Sequence, residues 1–373
     1  MNYVASCAFG IEAILKREMH ALGLTVTQST NGKIYFTGDE SALFLANLHL
    51  RTADRIYIVI GQGRVRTYDE LFEFVKQLPL KNYLSSEGKY HILAKSQKSK
   101  LYSLRDIQTI SKKALIENLK GAYQKNTFQE EGEYYRLSIE LLNDQVECLL
   151  DTSGEALHKR GYRLKQGEAP IKETLAAALV LLSFYDASRV LYDPFCGSGT
   201  IAIEAAMIAK NIAPGLNREF AFLSFPWVDK SRFIVQKKEA FKAINQDIEG
   251  KIYASDIDAN VLSVAKENAL EAGVEDVIDF SFSDFQDFSF DKDYGIIITN
   301  PPYGQRLETK EDAEVLYKRI GDTFRHLTTF SFYLLTSYPG VEGLLRKRAD
   351  RTRVLFNGNI KTRYYQYYGP KPR

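Results

Sequence analysis

The tetrapeptide Asn300-Pro301-Pro302-Tyr303 sets an amide side chain and an aromatic ring on either side of two prolines. It follows a short apolar run, Ile296-Ile297-Ile298-Thr299, which is too brief for a helix and fits a buried parallel strand. The loop therefore leaves the carboxyl end of a strand, where open α/β sheets bind their ligands. Each proline fixes φ and lacks an N–H, so neither a ladder nor a helix can continue. The residue before each is pushed to an extended shape. This stiff loop, with outward carbonyls, suits an NH2 group on a flat ring. The Asn300 side-chain oxygen and the Pro301 carbonyl can accept its two hydrogens while Tyr303 stacks on the ring. The plainer alternative is a strand-to-loop turn, since Pro-Pro and Asn-Pro are common turn dipeptides.

A second constellation lies a hundred residues earlier. Val190–Asp193 reads as a strand, Pro194-Phe195-Cys196-Gly197-Ser198-Gly199-Thr200 as a turn, and Ile201–Ala209 as an apolar, alanine-rich helix. Gly197 and Gly199 let the backbone bend sharply and approach a ligand that a Cβ would obstruct. Gly197, Gly199 and Ala202 also satisfy the loose dinucleotide pattern, whose ribose acid should follow about 20 residues on. The first acid on a matching strand end is Asp256, 57 residues beyond Gly199. No Gly-Lys-Ser/Thr follows the glycines, which excludes a P-loop.

Together these segments resemble the AdoMet-dependent methyltransferases that modify exocyclic amines of adenine, cytosine or guanine. Asn300–Tyr303 looks like their catalytic loop and Asp193–Thr200 like their first AdoMet motif, D-P-F-x-G-S-G-T. The resemblance implies S-adenosyl-L-methionine as cofactor, held by Asp193, Phe195, Cys196, Gly197, Ser198, Gly199 and Thr200. It also assigns the ribose hydroxyls to Asp256, at the end of the strand Lys251–Asp256, with Ile257 beside it. Asp284 would accept the adenine amine and Phe285 would pack on the adenine ring. Arg160–Arg163 and Gly167–Thr174 resemble the block that closes over the methionine end. Asp258 has a plainer reading as the N-cap of a helix starting at Ala259.

The elements that must position these groups form a doubly wound, mostly parallel sheet from about residue 160 to 373, with helices on both faces. Phe332–Thr336, Arg353–Phe356 and Thr362–Tyr368 read as its last strands, Asn357-Gly358 being a favoured hairpin turn. Asn211–Gln246 is a long insertion containing Trp227, which reads as a core-covering residue, with a substrate-contacting lid as the alternative. Upstream, Ile11, Ile14, Leu15, Met19 and Leu22 share one helical face. Lys33–Phe36, Arg55–Ile60, Tyr90–Ala94, Tyr134–Leu142 and Val146–Asp151 read as strands. Ser41–Leu50, a segment around Leu71–Val75 and Leu104–Leu119 read as helices. Asn143-Asp144 signals a hairpin. This part resembles a ferredoxin-like unit (1–54) followed by a THUMP RNA-binding domain (55–155).

The 373 residues allow two or three domains, and 45% apolar content is ordinary for a globular protein. No stretch approaches 18 consecutive apolar residues, and the start lacks the basic and apolar regions of a signal peptide. Three scattered cysteines and five dispersed histidines offer no metal-ligand spacing. These features point to a cytoplasmic, metal-free protein off the membrane. The net charge of +2 conceals segregation: Lys81–Lys125 holds ten Lys/Arg against three acids, and Gly343–Arg373 nine against one. Such clusters are the footprint of phosphate-backbone binding, although a charge run is usually a solvated face. Lys95, Lys98, Lys100 and Arg105 surround the entry to the Leu104 helix, whose amino end favours phosphate.

As a whole the chain resembles the bacterial THUMP-containing guanine-N2 methyltransferases of large-subunit (23S) rRNA, Asn300–Leu307 fitting that group closely. The resemblance implies methyl transfer to the N2 amine of a guanine, with 23S rRNA or an assembling large subunit as partner. Guanine-N2 methylation of tRNA, adenine-N6 methylation of DNA and a non-catalytic RNA-binding factor are the rival readings.

Overall fold

The computed structural model describes residues 1–163, 171–287, 293–302 and 309–371. Tyr303, Gly304–Leu307 and Gly167–Pro170 lie outside these.

The first half is built on one seven-stranded sheet, ordered β2-β3-β1-β4-β7-β6-β5. Its strands are β1 (Asn2–Ser6), β2 (Thr25–Thr30), β3 (Lys33–Thr37), β4 (Arg55–Arg64), β5 (Lys89–Gln97), β6 (Tyr134–Leu142) and β7 (Gln145–Asp151). Helices α1 (Glu12–Ala21), α2 (Glu40–His49), α3 (Tyr68–Lys76) and α4 (Leu104–Tyr123) complete this half. Thr67 and Glu70 close a capping box on α3, and Asp39 caps α2 by accepting from Ser41 and Ala42. Asn143 and Asp144 both take positive φ, as a tight β6–β7 hairpin requires. Because β1 pairs with both β3 and β4, the sheet runs unbroken from the first strand to Asp151.

The second half has a sheet ordered β10-β9-β8-β11-β12-β14-β13. Its elements in chain order are α5 (Glu173–Leu182), β8 (Leu191–Asp193), α6 (Thr200–Ala209), α7 (Lys230–Lys242), β9 (Ile252–Asp256) and α8 (Ala259–Glu271). There follow β10 (Ile278–Phe282), β11 (Ile296–Thr299), α9 (Lys310–Phe324), β12 (Ser331–Thr336), α10 (Val341–Leu345), β13 (Arg351–Asn357) and β14 (Ile360–Tyr367). Strands β10 through β12 are parallel, and β14 and β13 add an antiparallel edge pair. Every residue of β11 is buried, which accounts for its continuous apolar run. Asn357 pairs with Ile360, so the two turn residues are Gly358 and Asn359 rather than Asn357 and Gly358. Gly358 carries the positive φ and Asn359 does not, which is the glycine-first kind of two-residue turn.

One buried apolar cluster passes through both halves. Trp227 joins them: its indole N–H donates to the Tyr83 carbonyl at 3.0 Å and its ring meets Tyr83 edge-on. The Phe9–Gly10 loop packs against β13 so closely that a Cβ on Gly10 would stand 2.5 Å from the Val354 carbonyl oxygen. Gly10 also has φ +95, so both space and backbone demand glycine there. Among the described residues no helix is long and apolar enough to cross a membrane, and no group of three potential metal ligands gathers.

Candidate active site

The cleft at the carboxyl ends of β8–β11 is about 720 Å³. Pro194–Ser198 and Thr200 line it from the first turn, Asp256–Asp258 from the end of β9, Asp284 and Phe285 from beyond β10, and Asn300 and Pro302 from the end of β11. Four separated segments thus converge because they occupy the ends of adjacent strands.

The glycine turn is held tightly. The Cys196 N–H donates to the Ser255 carbonyl at 2.9 Å and the Gly197 N–H to Asp256 Oδ2 at 2.9 Å. Asp256 Oδ1 accepts from the Asp258 N–H, and Asp258 caps α8 through Asn260 and Val261. A Cβ on Gly197 would meet nothing within 4 Å, whereas one on Gly199 would press on Ala265 of α8 at 3.1 Å. Gly197 therefore borders open space in the cleft, and Gly199 lets α6 approach α8. Both have positive φ.

Ile257 is 69% exposed although apolar, and it faces the cleft. Phe285 is buried, with its ring 4.8 Å from Phe195 and the Arg319 guanidinium 5.1 Å from its centroid. Asp284 accepts from Arg319 at 3.0 Å and from the Gln286 N–H at 2.9 Å. Asp193 stands apart from this wall. Its carboxylate is fully buried under the turn, and neither oxygen has a hydrogen-bond partner among the described residues. Burial pushes its pKa up to about 8, opposed by the nearby Phe195 amide and reinforced by Asp256. Burial likewise raises the Cys196 thiol, with the Asp193 and Asp256 charges adding to it.

Asn300 is half-buried at the cleft, and its side-chain oxygen accepts no hydrogen bond among the described residues. Pro301 is buried behind it, while Pro302 faces the cleft. Upstream, Arg163 donates to Thr200 Oγ1 at 2.8 Å and pairs with Glu173 at 3.2 Å, tying the segment before α5 to the glycine turn.

Leu316 and Arg319 of α9 also line the cleft, and the sequence motifs gave neither. The Thr309–Asp312 capping box announces that helix, but no residue pattern marks Arg319 as facing a ligand. The four basic residues proposed for RNA lie at the far edge of the first sheet, and all are exposed. Lys95 is paired with Glu140 at 2.8 Å, whereas Lys98, Lys100 and Arg105 have no ion pair among the described residues. Tyr102, 82% exposed, lies among them.

This donor set fits an adenosyl cofactor. Carboxylates at the ends of successive strands, an apolar side chain turned outward at Ile257, and a glycine turn bordering open space match ribose, adenine and a chain approaching the backbone. A parallel sheet with an antiparallel carboxyl-terminal pair, carrying this site, defines a Rossmann-like class I methyltransferase. Comparison with known proteins agrees. A family profile described as the RMKL-like methyltransferase domain matches residues 160–366. Profiles for the RlmL ferredoxin-like domain and the THUMP domain match residues 2–57 and 65–151. The chain belongs to the RMKL-like methyltransferase family and is an S-adenosyl-L-methionine-dependent RNA methyltransferase.

It is 46% identical to YpsC of Bacillus subtilis (strain 168), described as a candidate RNA methyltransferase, over 98% of this chain and 95% of that protein. It is 30% identical to the Ribosomal RNA large subunit methyltransferase K/L of Cellvibrio japonicus (strain Ueda107), over 96% of this chain and 50% of that protein. The chain thus spans about half the length of the K/L proteins. Among solved structures it resembles SMU.472, a candidate methyltransferase complexed with SAH, with TM-score 0.94 and 42% identity, covering 100% of this chain and 99% of that one. It also resembles a predicted N6-adenine-specific DNA methylase from Listeria monocytogenes str. 4b F2365, with TM-score 0.93 and 45% identity, covering 99% and 96%.

Proposed function

We propose that this protein methylates the exocyclic N2 amine of a guanine in 23S rRNA, free or within an assembling large subunit. The observation that carries this reading is Asn300, which lines the cofactor cleft at the end of β11 and whose side-chain oxygen has no partner among the described residues. A buried acceptor left unpaired costs stability, so it is matched to a donor that arrives with the substrate. An aromatic NH2 group is such a donor. The large-subunit rRNA named in the K/L relatives supports the choice of RNA.

Bound S-adenosyl-L-methionine supplies an electrophilic methyl group. The chain's own residues orient the acceptor. Asn300 and the Pro301 carbonyl accept hydrogen bonds from the two amine hydrogens, turning the nitrogen lone pair out of conjugation and toward the donor, and Tyr303 stacks on the base. Their contribution is positioning and electrostatics, without a covalent enzyme intermediate. The methylated amine then gives up one proton to water. The cofactor is held by Asp256 through its ribose, by Asp284, Phe285 and Ile257 at the adenine, and by the Pro194–Thr200 turn. Asp193 underlies that turn. The base must leave its stack to enter, at a cost of a few kcal/mol in a duplex and less in a loop. Lys98, Lys100 and Arg105 grip the backbone, with Lys95 joining them by leaving Glu140.

The test is transfer from labelled AdoMet to total RNA from cells lacking the protein, followed by nucleoside analysis. N2-methylguanine in 23S rRNA is expected. Label confined to tRNA, label on adenine or no label at all contradicts the reading. Asn300→Ala should lower the transfer rate by roughly 10²-fold or more while AdoMet affinity stays within a few-fold. Parallel loss of both would remove Asn300 from the role given to it.

A further inference from the structure

The register of the second sheet fixes how far its carboxyl-terminal hairpin reaches. Thr299, the last residue of β11, is level with Leu334 of β12, Tyr365 of β14 and Thr352 of β13. Strand β13 runs parallel to β11 and continues to Asn357, five residues beyond Thr352. At about 3.3 Å per residue the hairpin tip stands about 17 Å above the end of β11. It projects on the same side of the sheet as Asn300, because the carboxyl ends of β11 and β13 point the same way.

The cofactor cleft occupies the other flank. Its strand-end residues follow β8, β9 and β10, which all lie to one side of β11 in the sheet order. The strands on the other side of β11 are β12, β14 and β13, so the hairpin stands on the flank of Asn300 opposite the β8–β10 strand ends.

The chemistry of the hairpin is uniform. From Arg351 to Arg363 there are four Lys/Arg and no acid. Lys361 and Arg363 lie on one face of β14 with Tyr365 and Tyr367, and above those buried tyrosines both are exposed. Neither forms an ion pair among the described residues. Ile360 at the tip is half exposed, and on the opposite face burial, together with the Arg351 and Arg17 charges, lowers the pKa of Arg353. A raised, unpaired cationic hairpin beside the mouth of a base-modifying cleft matches a phosphodiester backbone.

We propose that the β13–β14 hairpin is a second RNA contact, in which Lys361 and Arg363 hold the phosphates flanking the target nucleotide while its base reaches Asn300. The inference rests on the reading that RNA is the substrate of this cleft. It differs from the first-sheet cluster in acting locally, at the modified nucleotide.

The experiment compares the full chain with Lys361→Glu/Arg363→Glu and with a control pair, Arg325→Glu/Arg348→Glu. The control charges lie before β12 and β13 in the chain, away from the tip. RNA affinity is measured against salt concentration with 23S rRNA transcripts, and AdoMet affinity with the protein alone. The hairpin variant should lose roughly tenfold in RNA affinity near 0.1 M salt and flatten the log–log salt slope by about 1 to 2, as expected for one or two lost phosphate contacts. Its AdoMet affinity should be unchanged and its KM for RNA should rise more than its kcat falls. An unaltered slope, or an equal change in the control pair, overturns the proposal. Binding reads the hairpin separately from chemistry: wild-type protein that binds RNA but never methylates it would defeat the functional reading and leave the hairpin result standing.

Discussion

Asp193 combines full burial with a carboxylate that makes no well-formed hydrogen bond among the described residues, the Phe195 amide lying nearby, and burial pushes its pKa up to about 8. The folded state therefore holds a proton that an unfolded aspartate, with its ordinary value near 3.9, has released by neutral pH. Because the native state binds the extra proton, the stability of the cofactor-free protein should fall as pH rises from about 4 to about 8. Asp193→Asn should remove this component, measured as the pH dependence of the urea midpoint. Parallel curves for the two proteins would exclude Asp193 as its source. Other side chains at the site were readable in advance to different degrees. Asn300 and Gly197 are fixed by local chain geometry, so a short motif specifies them. Whether Asp193 faces the cavity or lies under it depends on how the Pro194–Cys196 turn folds over the strand end, which residue order does not record.

Helix α9 supplies what the motifs omitted. Arg319 donates to Asp284 and Gln286 and lies over the Phe285 ring, so one side chain braces three neighbours at the end of the cleft proposed for the adenine. Arg319→Ala should raise the KM for AdoMet by roughly 5- to 50-fold while leaving kcat within about twofold, since a cation–π contact and charged hydrogen bonds each contribute about 1 kcal/mol or more. Arg319→Lys should restore part of the loss. A fall in kcat at unchanged KM would contradict the bracing role. At this scale, legibility followed burial. Strand β11 is buried throughout and reads as an apolar run. Strand β2 has five exposed residues of six and the sequence TVTQST, so it carries no alternation to detect. Strand β1 is short and lies at the very start of the chain, yet it joins β3 to β4 across the sheet. Helix α7 has two buried residues of thirteen, too few for a face to emerge. The one-residue shift of the hairpin turn arose because two candidate glycine–asparagine placements overlap in Asn357-Gly358-Asn359.

The two halves of the molecule are joined by a buried polar seam. Arg160 pairs with Glu204 at 3.4 Å, both nearly free of solvent, and donates to the Leu157 and Arg51 carbonyls. Tyr162 also donates to Glu204 at 3.2 Å, and Arg51 reaches the Ile212 carbonyl at 2.8 Å. Glu204 is on α6, directly after the glycine turn, so the seam couples the first half of the chain to the helix that follows that turn. Glu204→Ala would leave Arg160 charged and unpaired in the interior, and should destabilise the protein by roughly 3–5 kcal/mol. A cooperative denaturant transition shifted by less than about 1 kcal/mol would rule that out. None of this was visible in advance, because Arg160 and Glu204 are 44 residues apart with no motif linking them.

The Phe9–Gly10 loop has a consequence for how copies of this protein coexist at high concentration. Strand β13 ends the second sheet, and a bare terminal strand invites pairing with a stranger's backbone. The loop lies against that edge at Val354 and Leu355, while Arg351 and Thr352 stay exposed. The first half thereby covers one stretch of the second half's open edge.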